Sequence, residues 1–436
     1  MLFRSIDPNF AIAQAQLGLS YSSDGESVLA AESTVRAWQL RNRVSDFERY
    51  FIDFTYYRQV TGNLEKAYQT LELWLAAYPR AGDFGPATLM GGLSTHGTGR
   101  YERAIRGSQE AIAADPDFTL GYGNLAASYF LTSRFAESEN VIKRAAERKL
   151  ELPDLLLIPF NIAALKGNRE EMERAVTAAK GKRRVEHWIS HAQALAMARS
   201  GRLRDAQQAS NQAVDLAMQE GGREAAASYR SAQSVWEAFY GNSAEAKRKA
   251  LAAMELSKGR EVEYTAGFAL ALSGDFAQSE ALADDLEKRF PEDTFAKFSY
   301  VPVLRAVAAA GRGKLADGIE QLQVTFPYEL AANGLNFNHY YLGGLHSAYV
   351  RGEALAAEQK YAEAAAEFQK ILDHPGLVGL DPIGALAHYQ LGRVFALSGD
   401  KVKAKAAYEA FFNLWKDADA EVPVLKSAKT EYARLQ

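Results

Sequence analysis

Residues 91–100 read GGLSTHGTGR, and Asp83-Phe84-Gly85 stands shortly before them. Glycines crowding a threonine can cradle a phosphate, and Asp-Phe-Gly can hold magnesium in a phosphotransfer site. A phosphate cradle requires G-x-x-x-x-G-K-[ST], with the lysine meeting the phosphates and the hydroxyl meeting the metal. Gly92 and Gly97 have the spacing, but Thr98-Gly99 stands where Lys-Ser is needed. The Asp-Phe-Gly tripeptide works with a strand lysine, an H-R-D loop upstream and A-P-E downstream, and the chain has none of these. Asp83 follows Pro79 and reads as a loop or helix-capping position.

Two further clusters could do chemistry. His187 and His191 in EHWISH lie four apart, on one helix face, as zinc ligands do. Trp188 occupies the place of the required glutamate base and no third ligand is evident, so these read as surface or groove histidines. The basic run KGKRR at 180–184 follows a helix C-terminus, where cations complement the dipole, and reads as a solvated loop. No catalytic residue, metal ligand or cofactor site emerges.

The elements that carry these residues are legible from composition. Alanine is abundant while valine, isoleucine and threonine are sparse, a balance that favours helix over strand. A net charge of −4 and a pI near 6.1 give no general basic field for nucleic acid. The absence of cysteine excludes disulfides and thiolate metal sites. The opening MLFRSIDPNFAIAQ lacks the pattern of a signal peptide. Apolar runs such as 152–167 are too short and too interrupted by Pro and Asp to span a bilayer. No nucleic-acid partner and no membrane insertion are expected; the compartment stays open, with a cytoplasmic location expected for the chain as it stands.

A turn signature then recurs along the whole length. It is visible eleven times, centred on Gly25, Gly62, Gly99, Ser133, Gly167, Gly201, Gly241, Gly274, Gly313, Gln359 and Gly399. From Gly99 to Gly201 the step is 34 residues; elsewhere it runs from 33 to 46. Each unit reads as a helix, a left-handed stop supplied by Gly, a second helix with Ala five places after the stop, and in several units a closing proline. YPRAG at 78–82, ADPDF at 114–118, RFPED at 289–293 and DHPGL at 373–377 supply those prolines.

The step and pattern resemble the tetratricopeptide repeat. Leu17, Gly18 and Tyr21 match its first helix, as do Tyr122, Leu125, Ala126 and Tyr129, and again Leu391, Gly392 and Phe395. The resemblance implies an all-α, right-handed α-solenoid of about eleven helix-turn-helix repeats. Repeats one to nine would occupy 1–325, an irregular aromatic-rich insertion 326–344, and the last two repeats with a capping helix 345–436. In this frame Gly91 replaces a leucine, Gly92 is the small residue where helices touch, and Gly99 is the turn.

The stretch DPIGALAHYQLGRVFALSGDKVKAKAAYEAFF, within 364–436, looks like the end of the repeat region in a group of bacterial serine/threonine protein kinases. Segments 41–67 and 282–294 resemble the same group. The likeness implies the sensor or docking region of a signalling protein and carries over no catalytic residue. It leaves open a fragment whose kinase domain lies upstream, with an extracytoplasmic location if that kinase is membrane-anchored. It also leaves open a solenoid that binds a small regulatory molecule.

First helices of such pairs line a concave face. The inward candidates are Arg49, Tyr56, Asn124, Phe130, Trp188 and His191, then Tyr264, Phe268, Tyr300, Tyr349, Tyr389 and Arg393. Tyrosines with occasional arginine suit a protein or peptide partner, because aromatics bury area at little entropic cost. Truncating Tyr264 or Tyr349 to alanine is expected to weaken that partner's binding and leave the helices intact. Phe47, Tyr50, Phe51, Phe54 and Tyr57 fall on one helical stripe and read as core. The aromatics of 326–344 are expected to fold back onto the solenoid.

Overall fold

All eleven turn residues have positive φ, from 61° at Gln359 to 91° at Gly241. That conformation ends a helix, because the left-handed residue turns the chain away from the next i→i−4 bond. Glycine adopts it without strain, and only Ser133 and Gln359 manage it with a side chain. The residue that follows often caps the next helix. Asn63, Asn168, Asp275 and Asp400 each accept the backbone N–H three residues on.

The computed structural model describes residues 10–79, 85–95, 97–332 and 344–435. Asp83 and Phe84, and the aromatics Phe337, His339, Tyr340 and Tyr341 of the insertion, lie outside them. The helices come in pairs. They are α1 (Ala11–Ser23) with α2 (Ser27–Gln39), α3 (Asp46–Gln59) with α4 (Leu64–Ala77), and α5 (Pro86–Thr95) with α6 (Tyr101–Ala114). Next come α7 (Thr119–Leu131) with α8 (Phe135–Glu147), α9 (Asp154–Lys166) with α10 (Arg169–Ala179), and α11 (Val185–Arg199) with α12 (Leu203–Gln219). Then follow α13 (Arg223–Phe239) with α14 (Ser243–Leu256), α15 (Arg260–Leu272) with α16 (Phe276–Arg289), and α17 (Val301–Gly311) with α18 (Leu315–Gln321). A π-helical turn, Ala296–Tyr300, leads into α17. The series closes with α19 (His346–Ala357) and α20 (Tyr361–Asp373), the short α21 (Pro375–Val378), α22 (Ile383–Leu397) with α23 (Lys401–Leu414), and α24 (Pro423–Ala433). No strand occurs among the described residues. The architecture of the described residues is an all-α solenoid of eleven helix pairs with tetratricopeptide-like turns and spacing.

Small residues let each pair close. Five places after the turn stand Ala30, Ala67, Ala104, Ser138, Ala206, Ala246, Ser279, Gly318, Ala364 and Ala404, all buried. Met172, in the fifth pair, is the larger exception. Seven places before the turn, a Cβ added to Gly352 or Gly392 would come 2.8 Å from the ring of Phe368 or Tyr408. In the third pair the glycine that faces the partner helix is Gly91, one residue earlier, and the contact is of ordinary van der Waals length. A Cβ there would meet Asn124 at 3.4 Å and Ser108 at 3.8 Å, whereas at Gly92 only Asn124 lies near, at 4.0 Å. The cause is a longer turn, since α5 stops at Thr95 and Gly97 inserts a second positive φ before Gly99. Gly91 to Thr95 are therefore helix and not a phosphate-binding loop.

Later pairs then come back onto the turns of earlier ones. Gly62 O accepts from Thr294 N at 3.0 Å, and Leu64 N donates to Thr294 Oγ1 at 3.1 Å. Ser133 Oγ accepts from Gly376 N at 3.0 Å, and Gly201 O from Asp419 N at 3.0 Å. Arg204 N donates to Asp419 Oδ2 at 3.0 Å, and Trp415 Nε1 to Arg199 O at 3.0 Å. The chain thus coils so that connections after the eighth, tenth and eleventh pairs seat on the turns of the second, fourth and sixth. Orphan N–H groups at helix starts, which a single hairpin leaves to water, find acceptors in trans along this seam. The described part of the insertion belongs to it. Tyr101 Oη donates to Leu330 O at 2.9 Å, and Tyr328 Oη to Glu65 at 3.1 Å.

Coiling that tightly fills the interior. Several of the later first helices are buried on almost every face: in α15 every residue from Val262 to Ala271 is buried. Second helices bury one stripe, such as Ser138, Val141 and Ala145 of α8.

Candidate functional site

Eight of the expected groove residues are buried: Phe130, Trp188, His191, Tyr264, Phe268, Tyr300, Tyr349 and Tyr389. Seven sit on first helices, as the repeat pattern requires, and Tyr300 ends the π-helical turn before α17, but they pack against other helices and not on an open groove. Tyr264 stacks on Tyr300 with centroids 4.1 Å apart, and Phe268 stacks on His346 at 4.8 Å. Tyr349 packs edge-on to Phe239 at 5.3 Å and accepts a hydrogen bond from Gln390 at 3.1 Å. The other four reach solvent at least in part. Arg49 is exposed and pairs with Asp46 of its own helix at 2.9 Å. Tyr56 is half-buried and stacks on Trp38 at 3.9 Å. Asn124 is half-buried over Gly91. Arg393 is exposed, 3.5 Å from Glu431.

The histidines read from sequence as surface or groove residues are interior. His187 Nδ1 and Tyr229 Oη are 2.7 Å apart, and His191 stacks on Tyr229 at 4.2 Å. Burial, helped by His187, pushes His191 down to about 3, so its ring is neutral. Among the described residues no group of three or more metal-ligating side chains assembles. The basic run is only partly a solvated loop, since Arg184 pairs with Asp24 of the first hairpin at 2.8 Å.

One arrangement has the outward form of a nucleophile–base–acid relay. Tyr264 Oη lies 3.0 Å from His346 Nδ1, and His346 Nε2 lies 2.9 Å from Asp381 Oδ2. An ionised Asp381 accepts from Nε2–H, which leaves Nδ1 to accept from the tyrosine. All three are at most 3% exposed, and burial raises the Tyr264 pKa well above its ordinary value. No substrate reaches them, so the relay ties α15, α19 and the start of α22 together.

Two of the accessible concavities lie along the seam. The first, of 620 Å³, is bounded by α2, the end of α3, residues 258–260 and the end of α16. Val28, Ala31, Val35, Val60 and Phe290 give it apolar walls, and Arg36 and Lys258 stand at its edge. Beside it two glutamates cap each other's helices. Glu26 Oε1 accepts from Glu224 N at 3.0 Å and Ala225 N at 3.4 Å, at the start of α13. Glu224 accepts from Ser27 Oγ at 2.5 Å and Val28 N at 3.1 Å, at the start of α2. Burial pushes Glu224 up to about 8 despite these donors, and it raises Glu26 as well. The second cleft, of 610 Å³, lies between α9–α11 on one side and Leu380, the end of α23 and the turn after it on the other.

Sequence reasoning passed over Glu26, Glu224 and Arg199. Each reads locally as an ordinary charge at a helix end; only the coiling brings Glu26 to Glu224 and α11 to α22.

No protein-family model matches this sequence, and no curated protein does. Among solved structures, the crystal structure of yeast Tom70 is similar at 14% identity, over 98% of this chain and 96% of that one, with a TM-score of 0.37. The tetratricopeptide domain of P58(IPK) is similar at 14% identity, over 90% and 98%, with a TM-score of 0.25. Scores this low carry nothing about function. No helix among the described residues is long and apolar enough to cross a membrane.

Proposed function

We propose that this chain is a non-enzymatic, protein- or peptide-binding scaffold whose partner engages its outer surface and the seam between its coils. The observation that carries this reading is that helix pairs fill the described chain, while the one relay with catalytic form is sealed inside. The expected concave site narrows to Arg49, Tyr56, Asn124 and Arg393, joined by the exposed Val28 and Leu29 beside the first cleft. No cofactor, nucleic acid or membrane enters the proposal. A photo-crosslinking residue placed at Leu29, with Val402 as the distant exposed control, tests it. One discrete protein captured at Leu29 and not at Val402 supports the reading; equal, diffuse labelling at both sinks it.

The likeness of residues 364–436 to kinase-associated repeats extends the proposal to the sensor or docking region of a bacterial signalling protein. A kinase domain encoded in frame ahead of Met1 supports that extension, and a stop codon there contradicts it.

A further inference from the structure

The second seam cleft contains an arginine without an ion-pair partner. Arg199, the last residue of α11, lies against α22, where a Cβ on Gly384 would come 3.3 Å from its Nε. That Nε is buried and has no hydrogen-bond acceptor. No carboxylate among the described residues stands within ion-pair distance of the guanidinium. The charge of Asp381 acts on Arg199, but that carboxylate already holds His346 Nε2 and the backbone N–H of Ile383, at 2.9 Å each. The neighbouring cations are matched: Lys166 by Glu139 at 2.6 Å, Arg169 by Asp417 at 2.9 Å, and Arg202 by Asp205 at 2.5 Å. Lys416 has no such match and also lines the cleft.

A buried polar nitrogen left without an acceptor is costly, so an acceptor that reaches this guanidinium stabilises the site. The remaining walls combine the apolar Leu165, Met172, Met197, Leu380 and Leu414 with the polar Gln193, Ser200 and Asn413 and the carboxylate of Glu173. The 610 Å³ volume is that of a small-molecule site. We propose that this cleft binds a small apolar carboxylate, its carboxylate on Arg199 and Lys416 and its hydrocarbon along the leucine and methionine wall. Charge count favours a monoanion: Arg199 and Lys416 are two cations without ion-pair partners, Glu173 is one such carboxylate, and the cleft's other charges are paired. The planar fork of Arg199 suits the two carboxylate oxygens. A ligand there touches both coils and holds them together, so this proposal concerns a site beyond the protein-docking surface.

Isothermal titration of the full chain with sodium octanoate, 1-octanol and inorganic phosphate tests it. Octanoate is expected to bind saturably and to raise the melting temperature, with neither octanol nor phosphate doing so. Arg199→Gln is expected to fold and to weaken octanoate by about tenfold or more, the worth of one charge-assisted bond. Lys416→Gln, an exposed change that keeps the fold, is expected to weaken it by less, and Arg36→Gln at the other cleft not at all. The proposal is overturned if octanoate fails to bind, if phosphate or octanol binds equally well, or if Arg199→Gln and Lys416→Gln both bind octanoate as the natural sequence does.

Discussion

Replacing Glu224 with glutamine makes the seam less sensitive to alkali. The side chain is 3% exposed and pushed up to about 8, chiefly by burial, from 4.5 in an unfolded chain. A folded state that keeps a proton the unfolded state has already lost is penalised as pH rises, by about 1.4 kcal/mol per unit between the two values. Over that interval the penalty reaches about 5 kcal/mol, fully present above pH 8 and absent below about pH 4.5. Glutamine reproduces the neutral acid, with Oε1 accepting from Val28 N and Nε2 donating to Ser27 Oγ. Urea unfolding followed by circular dichroism, with both proteins at pH 5 and pH 8.5, separates the effects. Little difference is expected at pH 5 and a clearly higher midpoint for Glu224→Gln at pH 8.5. The same midpoint difference at both pH values would refute the buried, proton-holding carboxyl.

Truncating Tyr264 or Tyr349 to alanine, expected from sequence to spare the fold, is expected from the structure to cost about 3–5 kcal/mol each, as large buried aromatics do; thermal melts followed at 222 nm measure it. Gly392→Ala drives a methyl toward the Tyr408 ring and is expected to cost about 1–3 kcal/mol by overpacking. Gly274→Ala has open space but a φ of 81°, so about 1 kcal/mol of backbone strain is expected instead. Asp293→Ala leaves the buried Arg260 with Glu261 alone, and a loss of about 3 kcal/mol is expected in urea titrations.

Local chemistry made the repeats legible. A left-handed turn residue, a cap beside it and a small residue five places on are demands of one hairpin, and each shows as a residue type at fixed spacing. The helices of all eleven pairs could therefore be placed from sequence. The exposure of their inward side chains could not. Tyr264 reads the same whether its helix faces solvent or the ring of Tyr300, because the decision rests on how far the solenoid coils. That coiling is set by contacts such as Glu26 with Glu224 and Gly62 with Thr294, hundreds of residues apart and without a periodic signal. The one-residue shift from Gly92 to Gly91 has a more local cause, the longer turn around Gly97, which the strict repeat spacing conceals. Arg199 was invisible for the same reason as Tyr264: the helix that buries it arrives from the far end of the chain.

The central claim is that later coils seat directly on earlier ones. Lys66 of the second pair and Glu292 after the eighth form an exposed ion pair at 2.8 Å across that seam. The chain has no cysteine, so Lys66→Cys with Glu292→Cys gives two unique positions for spin labels. Double electron–electron resonance should return one short, narrow distance, no longer than the two label arms laid end to end. A long or broad distribution, as in an open superhelix with a solvent-filled groove, would contradict the closed coil.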